Sequence, residues 1–252
     1  KDGRLVHCED ASRKGDYSRA DVISNMYHDT QKLQNMAQDP KIRRPIMLCE
    51  YAHAMGNSMG GLKEYWDLYR KYPSLQGGFI WDFVDQALRD KNKEGKEIFT
   101  YGGDYGRYPS SDYNFCCNGV IAPDRSLNPH AYEIQYYYQN AWITDKGLKD
   151  GKFEVYNENF FKSLDDLQLV CIVQPIGLNK AFVVTQDIEI SNIKPQQRKQ
   201  LHSTQLAEAI ATYTAEYPEN EIVVNFFFKT KEAQPLVEKG QIMAKQQFVV
   251  KE

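Results

Sequence analysis

Apolar and polar positions divide the chain into two parts with different periodicities. In residues 1–141, apolar runs typical of buried strands alternate with segments of helical spacing. The run at 46–50 is apolar on both faces, as in parallel strands that are covered by helices. This order predicts a parallel βα arrangement. Strands are predicted at 5–9, at 46–50 and, after a Gly77-Gly78 turn, at 79–84. Helices are predicted at 29–38, at 129–140 and in the segment that Asn57 and Ser58 would cap and Pro73 would end.

From about residue 142 the periodicity changes to two, which is typical of strands with one buried face. Turn-forming residues separate these runs. The pattern predicts an antiparallel sandwich of immunoglobulin-like size, about 100 residues. We therefore expect two domains, 1–141 and 142–252. The strands of the second domain are predicted near 153–157, 167–173, 182–188, 222–228 and 243–250.

The composition is that of an ordinary globular protein, since 42% of the 252 residues are hydrophobic and 26% are charged. A formal net charge of -3 gives no electrostatic reason to expect nucleic acid as a partner. No apolar run reaches the roughly 18 residues that span a membrane. Because the chain starts at Lys1 and enters almost directly on a strand-like run, we expect a piece of a longer protein. The sequence leaves open whether that protein is cytoplasmic or periplasmic.

The five cysteines are odd in number and include no Cys-x-x-Cys pair. Cys8, Cys49 and Cys171 lie inside apolar, strand-like runs. Buried thiols are therefore expected, rather than a disulfide or a zinc site.

The carboxylate of Glu50 stands where the apolar run ends and a polar, aromatic loop begins. Enzymes built on βα barrels carry their reactive groups at the carboxyl ends of the strands, and glycosidases use carboxylates as acid, base or nucleophile. Taken alone, this pattern also fits an ordinary solvated carboxylate at the end of a strand.

The stretch 45–58, PIMLCEYAHAMGNS, resembles the nucleophile signature of the β-galactosidases of glycoside hydrolase family 2. The likeness is strong over residues 1–141 and weak beyond them. The other blocks that carry it follow the family's order: Asn25-Met26-Tyr27, YPSLQGGFIWD at 72–82, YGGD at 101–104 and FCCNG at 115–119.

The resemblance implies the C-terminal part of a (β/α)8 TIM barrel, with three strands that end near Glu9, Glu50 and Trp81, followed by a sandwich domain. It also implies hydrolysis of terminal β-D-galactosides, such as lactose, with retention at the anomeric carbon. Partners would be the galactoside substrate, the remainder of the parent chain and further copies in a homo-oligomer.

Site residues follow from the resemblance position by position. Glu50 matches the nucleophile that forms the galactosyl-enzyme, and Tyr27 matches a tyrosine beside it. His53 matches a histidine that binds galactose hydroxyls, and Trp81 matches the hydrophobic wall of the sugar site. Asn118 matches a residue of the sodium site that lies against the galactose 6-hydroxyl, and it is also a candidate for direct contact with the sugar.

The same resemblance implies half of a sodium site, from the Phe115 carbonyl and Asn118. The remaining sodium ligands, the magnesium ligands and the general acid of the family lie upstream of this chain. Since retaining hydrolysis needs two carboxyl groups about 5 Å apart, we expect the isolated chain to be inactive.

Plainer interpretations stay open for several of these residues. Tyr27 and Trp81 could serve core packing, and His53 could hydrogen-bond only its own loop. Phe115 and Asn118 could order a loop without an ion, while Glu9 could line the pocket or form a salt bridge.

Two other functions remain as alternatives. One is a family 2 hydrolase for another sugar, a β-glucuronide or a β-mannoside. The other is a carbohydrate-binding or structural module, in which the sandwich is the working part.

Overall fold

The computed structural model describes residues 3–15, 17–106, 115–184 and 188–251. The chain divides into two compact units, residues 1–137 and 138–252. The first unit contains α1 (Glu9–Arg13), β1 (Ile23–Met26), α2 (Thr30–Gln38), β2 (Ile46–Tyr51), α3 (Leu62–Lys71), β3 (Leu75–Ile80), β4 (Leu88–Lys91), β5 (Glu97–Thr100) and α4 (His130–Tyr137). The second contains β6 (Ala141–Asp145), β7 (Lys152–Asn157), β8 (Leu167–Pro175), β9 (Phe182–Val184), β10 (Arg198–His202), α5 (Thr204–Glu216), β11 (Ile222–Thr230) and β12 (Ile242–Lys251).

In the first unit, β1, β2 and β3 form a parallel sheet in that order. Because α2 and α3 connect these strands, the predicted parallel βα arrangement is confirmed. A Cβ atom on Gly78 would lie 2.9 Å from the ring of Tyr51 and 3.0 Å from the Cβ of Leu48. Glycine at this position therefore lets β3 pack close to β2. The strands and helices share one core, which includes Ile23, Leu33, Ile46, Leu48, Tyr51, Leu62, Leu68 and Leu75.

The strand predicted at 5–9 is wrong. Leu5 is 79% exposed, His7 makes only an isolated bridge to Val22, and Glu9 begins α1. The first strand of the parallel sheet is β1, whose sequence Ile-Ser-Asn-Met does not have the expected apolar pattern. Its Ser24 N–H donates to the Ser12 hydroxyl on α1 at 2.8 Å, whereas the buried Ser24 Oγ has no partner among the described residues. The backbone of β1 therefore bonds to α1, a tertiary contact that the local sequence does not show.

Two predicted boundaries are also wrong. Asn57 and Ser58 do not cap α3, which begins at Leu62 after a left-handed Gly61; the Ser58 hydroxyl instead donates to carbonyls of its own loop. The Gly77-Gly78 pair lies inside β3 rather than in a turn before it. The strand consequently ends at Ile80, before most of the run predicted at 79–84. The predicted helices at 29–38 and 129–140 are present as α2 and α4.

The second unit is built from two antiparallel sheets, ordered β10-β7-β6 and β12-β11-β8-β9. Phe153 of β7 and Phe226 of β11 meet in a shared core, with ring centroids 5.1 Å apart. The prediction of a β-rich unit is confirmed, although the run at 182–188 lies partly outside the described residues. The sequence interpretation missed α5, whose Leu206, Ala209 and Ile210 join the core at helical spacing.

The cysteines do not all lie where the sequence placed them. Cys171 is buried as predicted, but Cys8 is exposed and Cys49 is only half-buried. Cys8 is exposed because it precedes α1 instead of filling a strand. No disulfide joins the five cysteines, all of which are described residues. Within the described ranges, no helix is long and apolar enough to cross a bilayer.

Candidate functional site

Glu50 lies near the carboxyl end of β2, the central strand of the parallel sheet, and is half-buried. The carboxyl ends of parallel strands share one edge of a sheet. Residues that follow the flanking strands, Tyr27 after β1 and Trp81 after β3, therefore lie at the same edge. The structure thus places three residues that are far apart in the sequence at one edge of the sheet.

Tyr27 is bound to Glu50 through both backbone and side chain. Its N–H donates to the Glu50 carbonyl at 2.9 Å, and its hydroxyl donates to Oε2 of the carboxylate at 2.8 Å. Tyr27 has a φ of 50°, in the left-handed region, where a non-glycine residue is uncommon. Burial, together with the hydrogen bond to Glu50, raises the pKa of Tyr27 above its usual value. The phenol therefore stays protonated and holds the carboxylate as a donor.

His53 lies on the loop after β2, between two aromatic rings. Its ring centroid is 5.9 Å from that of Tyr27 and 5.0 Å from that of Phe115. Nδ1 accepts the Met55 N–H at 3.4 Å, so the neutral imidazole carries its proton on Nε2. That Nε2 atom is buried and has no partner among the described residues. His53 can therefore offer a buried donor to a ligand.

Trp81 connects the His53 loop with a second loop. Its carbonyl accepts the Ala54 N–H at 2.8 Å, and its indole N–H is buried without a partner in the described ranges. The next residue, Asp82, donates its N–H to the Asn118 carbonyl at 2.8 Å. The Trp81-Asp82 peptide bond is cis.

Phe115 and Asn118 belong to the second loop. Phe115 is exposed, whereas Asn118 is 0% exposed, and neither amide atom of its side chain has a partner in the part of the chain that is described. Unpaired buried amides are costly and call for a ligand, an ion or a water. Asn118 therefore fits the predicted contact with a sugar hydroxyl or a cation.

Two aspartates that the sequence interpretation passed over organise this edge. Asp85 Oδ1 accepts the Gly119 N–H at 2.5 Å, and a Cβ on Gly119 would lie 2.1 Å from the Asp85 nitrogen. Asp82 Oδ2 accepts from the Gln86 amide at 3.1 Å, while Oδ1 is buried without a described partner. Burial raises the pKa of Asp82. In the sequence, Asp82 ends the block at 72–82 that carries the resemblance, and Asp85 follows three residues later.

Glu9 is the remaining carboxylate considered from the sequence. It forms a salt bridge with Arg13 at 2.6 Å along α1. Among residues 3–15, 17–106, 115–184 and 188–251, no three His, Cys, Asp or Glu side chains form a group that could hold a metal ion.

Comparisons with known families match both units. Residues 1–143 match the family described as glycosyl hydrolases family 2, TIM barrel domain. Residues 153–251 match the family described as β-galactosidase, domain 4. The first match covers more than half of the chain.

Curated relatives agree with these matches. A β-galactosidase of Priestia megaterium is 35% identical over 248 residues, which are 98% of this chain and 23% of that protein. One from Clostridium acetobutylicum is 36% identical over 252 residues, 99% of this chain and 26% of that protein. One from Halalkalibacterium halodurans is 44% identical over 168 residues, 66% of this chain and 16% of that protein. The chain thus spans about a quarter, or less, of the relatives it matches.

Proposed function

Since this chain belongs to the glycosyl hydrolases of family 2, we propose that its parent protein hydrolyses terminal β-D-galactosides with retention, and that Glu50 is the nucleophile. The observation that carries this proposal is the 2.8 Å hydrogen bond from the Tyr27 hydroxyl to Glu50 Oε2. It occupies one carboxylate oxygen at the carboxyl edge of the sheet and leaves Oε1 for attack.

In the proposed reaction, a Glu50 oxygen forms a bond to the anomeric carbon while the bond from that carbon to the aglycone oxygen breaks. A carboxylate suits this step because it stabilises the positive charge of an oxocarbenium-like transition state before it bonds. Water then attacks the same carbon and releases Glu50, so two inversions give net retention. The general acid of the parent chain would give a proton to the departing aglycone oxygen and then take the proton of the attacking water. Tyr27, still protonated, donates to the carboxylate before attack and to the departing carboxylate during release.

The galactosyl unit would lie among His53, Trp81 and Asn118. The Nε2–H of His53 and the free amide of Asn118 are buried groups that sugar hydroxyls can satisfy. The indole of Trp81 offers an apolar face for the C–H side of the pyranose. Relatives named β-galactosidase support a galactoside over a β-glucuronide or a β-mannoside.

The Phe115 carbonyl and the Asn118 side-chain oxygen would supply part of a sodium site. Both are the oxygen ligands that hard cations prefer, and the unpaired Asn118 amide oxygen fits such a role. A bound sodium ion would orient a sugar hydroxyl by coordination. Further sodium ligands, the magnesium ligands and the general acid would come from the parent chain, so we propose that this chain alone is inactive.

The second unit would serve as an immunoglobulin-like sandwich that supports the barrel and contacts between subunits of a homo-oligomer. Its match to a domain of β-galactosidases favours a structural role in the parent enzyme over the role of an independent sugar-binding module.

The proposal is tested in the full-length parent protein. Glu50→Gln should lower kcat for an aryl β-galactoside by about 10⁴-fold or more, since it removes the nucleophile. Glu64→Gln, an exposed change on α3, is the matched control and should leave kcat unchanged. A 2-fluoro-galactoside that traps the covalent intermediate should label the peptide that contains Glu50. Label on another carboxylate, or full activity of Glu50→Gln, would overturn the assignment.

A further inference from the structure

The carboxyl group of Asp82 has one oxygen that the fold leaves unsatisfied. Oδ2 accepts a hydrogen bond from the Gln86 side chain at 3.1 Å. Oδ1 is buried, yet no described residue donates to it. A buried carboxylate oxygen without a donor is costly, and native structures rarely keep one without a reason.

The position of Asp82 associates this oxygen with the proposed sugar site. Its backbone joins two loops, because its N–H donates to the Asn118 carbonyl at 2.8 Å and its carbonyl accepts the Val120 N–H at 2.9 Å. Its carboxyl group also interacts electrostatically with His53 and with Tyr27. Asp82 therefore belongs to the same edge as Glu50.

Other unsatisfied groups lie on neighbouring residues. The indole N–H of Trp81 and both amide atoms of Asn118 are buried without described partners. Three residues linked by backbone bonds thus present both donors and acceptors that bind no other residue in the described part of the chain. A polyhydroxylated ligand could form hydrogen bonds with all of these groups, since each hydroxyl both donates and accepts.

We propose that Asp82 is a further specificity-determining residue, whose Oδ1 accepts a hydrogen bond from one hydroxyl of the bound galactosyl unit. This inference rests on the proposed function and extends it by one sugar contact. An ionised carboxylate only accepts hydrogen bonds, so its partner must be an O–H or N–H donor. Burial of the carboxyl group raises the pKa of Asp82, as expected for a carboxylate that has lost water and whose Oδ1 lacks a hydrogen-bond donor among the described residues.

The test uses the full-length parent protein and a series of aryl β-galactosides, each lacking one hydroxyl. Asp82→Ala should lower kcat/KM for the complete galactoside by about 10- to 100-fold, as expected for loss of a hydrogen bond to a charged group. For one deoxygalactoside the same substitution should cost nothing, because the lost hydroxyl was its partner. That analogue identifies the hydroxyl that Asp82 binds.

The matched control is Asp85→Ala on the same segment, whose Oδ1 is already satisfied by the Gly119 N–H. It should lower the Tm and cost the same factor with every deoxygalactoside. An equal penalty of Asp82→Ala across the whole series would overturn the proposal, and would indicate a donor from elsewhere in the parent chain. An inactive wild-type protein would instead contradict the proposed function; the deoxygalactoside series is then read as binding affinity, by calorimetry.

Discussion

Tyr27 holds Glu50 at two points, with its N–H on the Glu50 carbonyl at 2.9 Å and its hydroxyl on Oε2 at 2.8 Å. The backbone contact fixes the end of β1 against the end of β2, and the side-chain contact fixes the carboxylate itself. Two such restraints limit the rotamers of Glu50, which is what a nucleophile that must approach one carbon requires.

Tyr27→Phe in the parent protein should lower kcat by about 10- to 100-fold, since it removes one hydrogen bond to a charged carboxylate. KM should change little if the hydroxyl acts on Glu50 rather than on the sugar. Tyr65→Phe is the control, because the Tyr65 hydroxyl donates to the His28 carbonyl. Steady-state kinetics of both variants measure the difference; equal losses would count against a specific role for Tyr27.

Gly119→Ala should displace the loop that carries Asn118. The added Cβ would lie 2.1 Å from the Asp85 nitrogen, so the loop must move away from the segment that follows Trp81. A displacement of about 1 Å can cost roughly 100-fold in kcat/KM. Gly60→Ala, where nothing lies within 4 Å of the new Cβ, should have near wild-type kinetics. Unchanged kcat/KM in Gly119→Ala would show that this loop does not contact substrate.

Phe226→Ala should destabilise the second unit by about 3 to 5 kcal/mol, because a fully buried ring is replaced by a cavity. Phe226 is 0% exposed, whereas Phe161 is 98% exposed. Phe161→Ala should therefore change stability by less than about 0.5 kcal/mol. Hydrogen exchange of the β8 and β11 amides measures both; protection that is unaltered in Phe226→Ala would contradict the described core.

Asp82→Asn should raise the Tm of the ligand-free parent protein at pH 7. Burial raises the folded-state pKa of Asp82 above its usual value of 3.8. The stability contributed by the protonated carboxyl is therefore present below pH 3.8 and lost as the pH rises through the folded-state pKa. The gain in Tm from Asp82→Asn should shrink as the pH falls below the folded-state pKa. Thermal unfolding of both proteins between pH 3.5 and 7 measures this gain, and a Tm difference that does not depend on pH would contradict the prediction.

Local patterns in the sequence predicted the parts of the fold that depend on local properties. The strand at β2 was predictable because its apolar residues cover both faces, and α2 was predictable because residues 29–38 have helical spacing. In the structure Asp29 caps α2, its side chain accepting the Lys32 N–H at 2.7 Å. The period of two in β7, β8 and β11 likewise reflects one buried face per strand. The helix α5 was missed because a search for alternation discards helical spacing.

Other elements depend on contacts that no local pattern contains. The backbone of the polar strand β1 bonds to α1 through the Ser12 hydroxyl, which accepts the Ser24 N–H. Gly78 lies within β3 rather than in a turn, at a position where a Cβ would come within 3.0 Å of Tyr51 and Leu48. Asp82 and Asp85 gain their roles from a loop distant in sequence, which pairs with them through backbone hydrogen bonds.

The sequence by itself determined the succession of α2, β2, α3 and β3 in the first unit, the residue types at the ends of β2 and β3, and the family resemblance that points to Glu50. Only the tertiary structure decided which polar groups meet: the Tyr27 hydroxyl on Glu50, and the unsatisfied atoms of His53, Asp82 and Asn118. The physical reason is that periodicity reports which face of a segment is buried. Hydrogen-bond partners and unpaired atoms depend on how strands and loops distant in the sequence come together.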